Sequence, residues 1–141
     1  MGSSEGLEMA YETEIKTRFR DVDAMGHVNN AVYFSFMEQA RTEYYLKIAG
    51  KRRLDEFEII LASATCNFRS PISWGETVLV RVWPGRIGES SFLLKYEIRV
   101  KEDGRLVADG ESVQVAYDYR TKKSRPIPSE FRKAIEAEIA Q

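Results

Sequence analysis

A chain of 141 residues, 43% hydrophobic and 30% charged, is sized for one domain and has the composition of an ordinary globular protein. Its 21 basic and 22 acidic side chains leave a formal net charge of −1, so no long-range field draws it to nucleic acid or to an anionic membrane. No stretch approaches the roughly 18 consecutive apolar residues of a membrane span. Met1 to Ala10 lack the basic and apolar regions of a signal peptide, which makes the cytoplasm the expected compartment. Residues 1–10 read as an N-terminal extension, in part added by cloning, and residues 11–141 as the domain.

In chain order, Tyr11, Thr13, Ile15, Thr17 and Phe19 alternate with charged residues, the period of a strand with one face toward a core. Asp21 to Asn30 breaks that pattern with turn-forming residues. From Ala31 to Ala49, the residues Tyr33, Phe36, Met37, Ala40, Tyr44 and Ile48 recur at helical spacing, and Phe34, Tyr45 and Leu46 widen the stripe. Asn29 or Asn30 can cap this helix, and Gly50 can end it. A basic turn, Lys51 to Arg53, follows. Strands are then expected over Ile59 to Phe68, Glu76 to Trp83 (stopped by Pro84-Gly85), Phe92 to Val100, and Arg105 to Tyr117. Asp103-Gly104 signals a two-residue hairpin, and Gly110 suggests a bulge. Ser129 can cap a short last helix ending at Gln141. One strand, a long helix, four meandering strands and a small helix predict an α+β fold with an antiparallel sheet and a helix on one face.

The rare residues narrow the chemistry. Cys66 is the single cysteine and His27 the single histidine. An intrachain disulfide and a structural Cys/His zinc site are both excluded, and a reducing compartment fits. A serine triad would need His27, yet no G-x-S-x-G elbow occurs, nor does a glycine-rich phosphate loop. Cys66 lies in an apolar strand, where a small hydrophobic role fits better than a nucleophilic one. Neither a metal nor a cofactor is expected, and the chemistry falls to carboxylates, polar side chains and backbone dipoles.

Residues 21–33 concentrate such groups. A polar loop joins a half-buried strand to the N-terminus of a buried helix, whose free N–H groups can bind an anion or stabilise an oxyanion. A carboxylate beside them could activate water or attack an acyl carbon. The plainer reading is that Asp and Asn before a helix cap it and form turns, that a lone loop histidine is structural or solvated, and that Gly26 serves a positive φ.

The stretch Arg18-Phe-Arg-Asp-Val-Asp-Ala-Met-Gly-His-Val-Asn-Asn-Ala-Val-Tyr33 resembles the signature of the 4-hydroxybenzoyl-coenzyme A thioesterase family of hotdog proteins. Phe36-Met-Glu-Gln-Ala-Arg-Thr-Glu-Tyr44 resembles the family's helix, and Pro71-Ile-Ser-Trp-Gly-Glu76 its P-x-x-x-G-[DE] turn. The resemblance implies a five-stranded antiparallel sheet wrapped around one long central helix. It also implies a homodimer or homotetramer with active sites at the subunit interface, and hydrolysis of acyl-coenzyme A (acyl-CoA), the coenzyme being part of the substrate. By match to the motif, Asp23 stands where the family has its catalytic base or nucleophile. His27 would assist by polarising the carbonyl or positioning water, while Gly26, Asn29, Asn30 and Tyr33 would shape the substrate site.

The His27-Val-Asn-Asn30 run is also similar to acyl-acyl carrier protein thioesterases of plants. In those the histidine acts with an asparagine two residues earlier, a position held here by Met25. Hydrolysis of carrier-linked acyl groups, a non-hydrolytic acyl-binding role and a dehydratase are the alternatives.

Overall fold

The computed structural model describes residues 10–49 and 58–140. Strand β1 (Tyr11–Lys16) leads through a 3-10 turn (Phe19–Asp21) and a loop into helix α1 (Asn30–Ile48). Strands β2 (Ile59–Phe68), β3 (Thr77–Ile87), β4 (Ser91–Val100) and β5 (Leu106–Asp118) follow, then a two-residue strand β6 (Lys123–Ser124) and helix α2 (Ser129–Ala140). The expected basic turn at Lys51–Arg53, the helix stop at Gly50 and the end of the last helix at Gln141 lie outside the described residues.

The α+β architecture with an antiparallel sheet matches the expectation, but the topology is not a four-strand meander. The strand order is β1-β3-β4-β5-β2, with β6 added to β5. β3, β4 and β5 run as consecutive antiparallel neighbours, while β2 crosses to the far edge and pairs with β5, Ile59 opposite Ala116 and Phe68 opposite Ala108. β1 takes the other edge, with Tyr11 opposite Val82 and Lys16 opposite Thr77. The sheet therefore has six strands rather than five. Local periodicity cannot reveal the sixth, because both residues of β6 are exposed and too few to alternate.

Burial explains which strands are central. Val78, Val80 and Val82 of β3 and Leu94, Ile98 and Val100 of β4 are wholly inaccessible, with Tyr96 nearly so. Against them α1 sets Tyr33, Phe36, Met37, Ala40 and Tyr44, the stripe read from its spacing. In folded proteins most helical stability comes from tertiary packing of one apolar face. Each fully buried large apolar side chain contributes roughly 1.5–3 kcal/mol, so packing on the sheet holds the helix more than propensity does. Phe34 departs from the predicted stripe, since it is 39% exposed.

Four local expectations change. β1 stops at Lys16, and the chain turns before Phe19, which is exposed and meets Trp74 edge-on at 5.5 Å between ring centroids. β3 runs past Pro84-Gly85 to Ile87 because a bulge between Pro84 and Arg86 absorbs the irregularity and keeps the ladder with β4. The β4–β5 connection spans residues 101–105, longer than two residues, although Gly104 does take the left-handed conformation at φ +75°. Gly110 is in register with both Cys66 and Tyr96 and marks no bulge. A Cβ there would run into the Thr65 carbonyl oxygen and come within 3.0 Å of Met37 Cε, so glycine is required by close approach of strand and helix.

Candidate functional site

The loop between the 3-10 turn and α1 is built from its two aspartates in opposite ways. Asp21 faces inward, 3% exposed. Its Oδ2 accepts the Arg18 backbone N–H at 2.8 Å, and its Oδ1 accepts Arg18 Nη2 at 3.0 Å. Burial alone would push the Asp21 pKa up. The hydrogen bonds from Arg18 and the charges of Arg18 and Arg20 outweigh it and hold the carboxyl below its ordinary value.

Asp23, two residues on, is exposed. Its Oδ1 accepts the backbone N–H of Met25 at 2.8 Å and of His27 at 3.3 Å. Its own N–H donates to the His27 carbonyl at 2.8 Å, and Gly26 N–H donates to the Asp23 carbonyl at 3.0 Å. Gly26 lies at φ +80°, and a Cβ added there would meet nothing within 4 Å, so backbone conformation and not space selects glycine. A bridge between Val22 and Val28 closes the loop. The result is a compact turn that presents the Asp23 carboxylate to solvent in a fixed direction.

Asn29 and Asn30 separate in role. The Asn29 side chain accepts the Ala31 N–H at 2.9 Å and its carbonyl accepts Val32 N–H at 2.9 Å, so it is the N-cap of α1. These bonds occupy two of the amides that could have served as oxyanion donors. Asn30 is the first helical residue and is exposed. Tyr33 is 2% exposed. Its ring meets Phe68 edge-on at 5.0 Å and its hydroxyl donates to the Ser70 carbonyl at 3.4 Å, which makes it a core residue between α1 and the end of β2.

His27 enters the site through its backbone, bridged antiparallel to Ser73. Val28 N–H donates to Ile72 O at 2.8 Å and Trp74 N–H to Gly26 O at 3.1 Å, so the Asp23 loop is stitched to residues 72–74. That segment is fixed in turn by Glu76 and Arg105. Glu76 Oε1 accepts Ser73 N–H at 2.7 Å, and Arg105 forks onto Glu76 with Nη2–Oε1 at 2.7 Å and Nη1–Oε2 at 3.0 Å. Arg105 also donates to Pro71 O at 2.9 Å, while Gly75 N–H, at φ +95°, donates to Thr17 Oγ1 at 2.9 Å. The hydrogen bonds from Arg105 hold the Glu76 carboxyl below its ordinary value against the effect of burial.

Thr17, Ser73 and Arg105 carry no signal in the sequence that marks them for this site. The Pro71–Glu76 turn has a recognisable pattern, but nothing local ties Arg105 to a residue 29 positions earlier. Cys66 is half-buried, and burial, then the Asp109 charge, push its thiol up to about 11, which suits a packing role. Among the described residues no cluster of three His, Cys, Asp or Glu side chains could hold a metal ion, and no helix is long and apolar enough to cross a membrane.

The chain is 26% identical over 133 residues to the long-chain acyl-CoA thioesterase FadM of Escherichia coli, covering 89% of this chain and 96% of that one. It is 26% identical over 129 residues to the 1,4-dihydroxy-2-naphthoyl-CoA hydrolase of a Synechococcus strain, covering 85% of each. A Thermus thermophilus thioesterase crystallised with coenzyme A and zinc superposes with a TM-score of 0.85 at 31% identity, covering 97% of this chain and 98% of that one. The profile of the Thioesterase-like superfamily matches residues 17–135, from Thr17 of the Asp23 loop's anchor to Ile135 in the last helix, and the chain belongs to that family.

Proposed function

We propose that the protein hydrolyses acyl-CoA thioesters to a free acid and coenzyme A, with Asp23 as the catalytic carboxylate. The observation that carries this reading is the Asp23 side chain itself, exposed yet oriented by the Met25 and His27 amides, just before the N-terminus of helix α1, one face of which is buried. Membership of the thioesterase-like family and the coenzyme A bound by the Thermus relative support it.

As a general base, Asp23 takes a proton from water while the water oxygen attacks the thioester carbon. The tetrahedral oxyanion collapses, the C–S bond breaks, and the proton passes to the departing thiolate. As a nucleophile, Asp23 would form an acyl anhydride that water then cleaves. With the Ala31 and Val32 amides occupied by Asn29, the oxyanion donors are the Asn30 N–H and groups brought by a second subunit. His27 positions water or the carbonyl, and Gly26 and Asn30 border the substrate. Asn29 and Tyr33 contribute by shaping the helix end.

In this reading the fold is the hotdog arrangement, with the sheet curved around α1. β2 supports assembly: it is an edge strand whose residues Leu61 and Phe68 are 48% and 43% exposed, and it can pair with a second copy to give a homodimer or homotetramer with sites at the interface. The expected place of work is the cytoplasm.

The test is thiol release from a panel of short, long and aromatic acyl-CoA thioesters by wild type and Asp23→Asn. Turnover in the wild type that falls by at least ~10² in the variant supports the assignment. Equal turnover removes Asp23 from the mechanism, and a folded wild type that cleaves none of the panel rejects the acyl-CoA reading.

A further inference from the structure

The face of α1 turned toward β2 carries a buried cation. Arg41 is 8% exposed. Its Nη1 donates to the Tyr96 hydroxyl at 3.1 Å, Tyr96 Oη lies 2.5 Å from Ser112 Oγ, Ser112 Oγ continues to Gln114 Oε1, and Gln114 Nε2 donates to the Phe92 carbonyl at 3.1 Å. Tyr96, Ser112 and Gln114 are neutral side chains. Among the described residues the carboxylate that pairs with the guanidinium is Glu38, whose Oε2 is 3.9 Å from Nη2 and whose side chain is 72% exposed, a geometry of little strength. A guanidinium offers five donors, and a buried charge is costly unless it is paired.

The same guanidinium borders a cleft. Arg41 and Ser112 contribute polar lining, and Phe34, Met37, Leu61 and Ala64 apolar walls, around a volume of about 180 Å³. At 1.5 Å rise per residue, Phe34 sits roughly 6 Å and Arg41 roughly 16 Å along the axis from Asn30, so the cleft runs away from the helix end that follows the Asp23 loop. Phe34, out of place as a core residue, is accounted for as a wall of this cleft.

We propose that Arg41 is a specificity-determining residue: the cleft takes the acyl group, and the guanidinium receives an oxygen, hydroxyl or carboxylate, at its distal end. This rests on the acyl-CoA reading above. A planar fork of donors suits an oxygen acceptor. A methyl-terminated chain of the same length would cover those donors and return no hydrogen bond, so it is disfavoured.

The test compares decanoyl-CoA with decanedioyl-CoA and 10-hydroxydecanoyl-CoA, chains long enough to run from the Asp23 loop toward the guanidinium, in wild type and Arg41→Met, reading the ratio of kcat/KM within each pair. The expected wild-type ratio favours the oxygen-bearing member at least tenfold and falls toward one in Arg41→Met. Arg41→Lys, which keeps the cation, retains part of the decanedioyl preference. The decanedioyl and hydroxydecanoyl arms separate a carboxylate from a hydroxyl. A wild-type ratio near one, or a ratio unchanged in Arg41→Met, overturns the proposal, and the wild-type ratio decides alone if the variant does not fold. If none of the thioesters is cleaved, the acyl-CoA hydrolase reading fails separately. Calorimetric Kd values for the same thioesters then give the same ratio, and equal affinities overturn the role of Arg41.

Discussion

Asp23 and His27 hold each other through the backbone: the Asp23 N–H donates to the His27 carbonyl at 2.8 Å, and Asp23 Oδ1 accepts the His27 N–H at 3.3 Å. The reciprocal pair leaves the His27 imidazole outside the bonding that shapes the loop. An amide in place of the Asp23 carboxylate can still accept both backbone N–H groups through its oxygen. Asp23→Asn is therefore expected to keep the wild-type melting temperature while losing turnover. Asp21→Asn is expected to do the reverse in emphasis. Its hydrogen bonds to Arg18 are charge-assisted and partly buried, so the substitution costs about 2 kcal/mol, and calorimetry should show the midpoint several degrees lower. An Asp21→Asn protein as stable as wild type would sink that division of labour.

Asn29 is a helix cap before it is anything else. Asn29→Ala should destabilise the protein by about 1 kcal/mol, and Asn29→Ser or Asn29→Asp should recover most of the loss, because each supplies an oxygen for the Ala31 N–H. Urea denaturation distinguishes the cases. A rise in KM in the alanine variant with no recovery by serine would instead place the Asn29 amide on the substrate.

Two glycines should respond differently to alanine. At Gly26 the added Cβ meets open space and the cost is conformational, about 1 kcal/mol for a left-handed φ. At Gly110 the Cβ overlaps the Thr65 carbonyl and presses Met37, so strand β2 must shift and the cost is roughly 1–3 kcal/mol or more. Equilibrium unfolding of the two variants side by side checks the order, and Gly26→Ala as the more damaging change would contradict it.

Acid should weaken the support beneath the Asp23 loop. Asp21 and Glu76 both have depressed carboxyl pKa values in the folded chain, set against burial by hydrogen bonds from Arg18 and Arg105. The unfolded chain binds protons first as pH falls, so their stabilisation is complete above the ordinary carboxylate range and is lost as pH drops through the folded values. Because Arg105 and Glu76 are each partly solvated, the effect of that pair is modest. Melting temperatures from pH 7 to pH 3 should fall more gently for Arg105→Met than for wild type. Parallel curves would remove this pair from the pH response.

Much of the architecture could be read locally. An apolar, β-branched run marked Ile59–Phe68 at the observed bounds, and helical spacing placed α1 within one residue at each end. That follows because a half-buried strand or helix writes its own period into the sequence. The structure buries Asp21 and exposes Asp23, two residues on, a difference that local alternation does not carry. Three-dimensional pairing decided the rest. β2 lies beside β5 across the sheet, Arg105 reaches back to Glu76, Arg41 is buried against Tyr96, and Phe34 opens onto a cleft. Each of these depends on partners far apart in the chain, or on the side of a helix that the sheet happens to leave uncovered, and composition and period carry no record of such contacts. Local pattern was enough for most of the secondary structure and for the polar loop with its carboxylate. Which of the loop's residues face solvent, which merely cap and brace it, and what surrounds them came from long-range packing, because those outcomes depend on surfaces that meet only once the chain has folded.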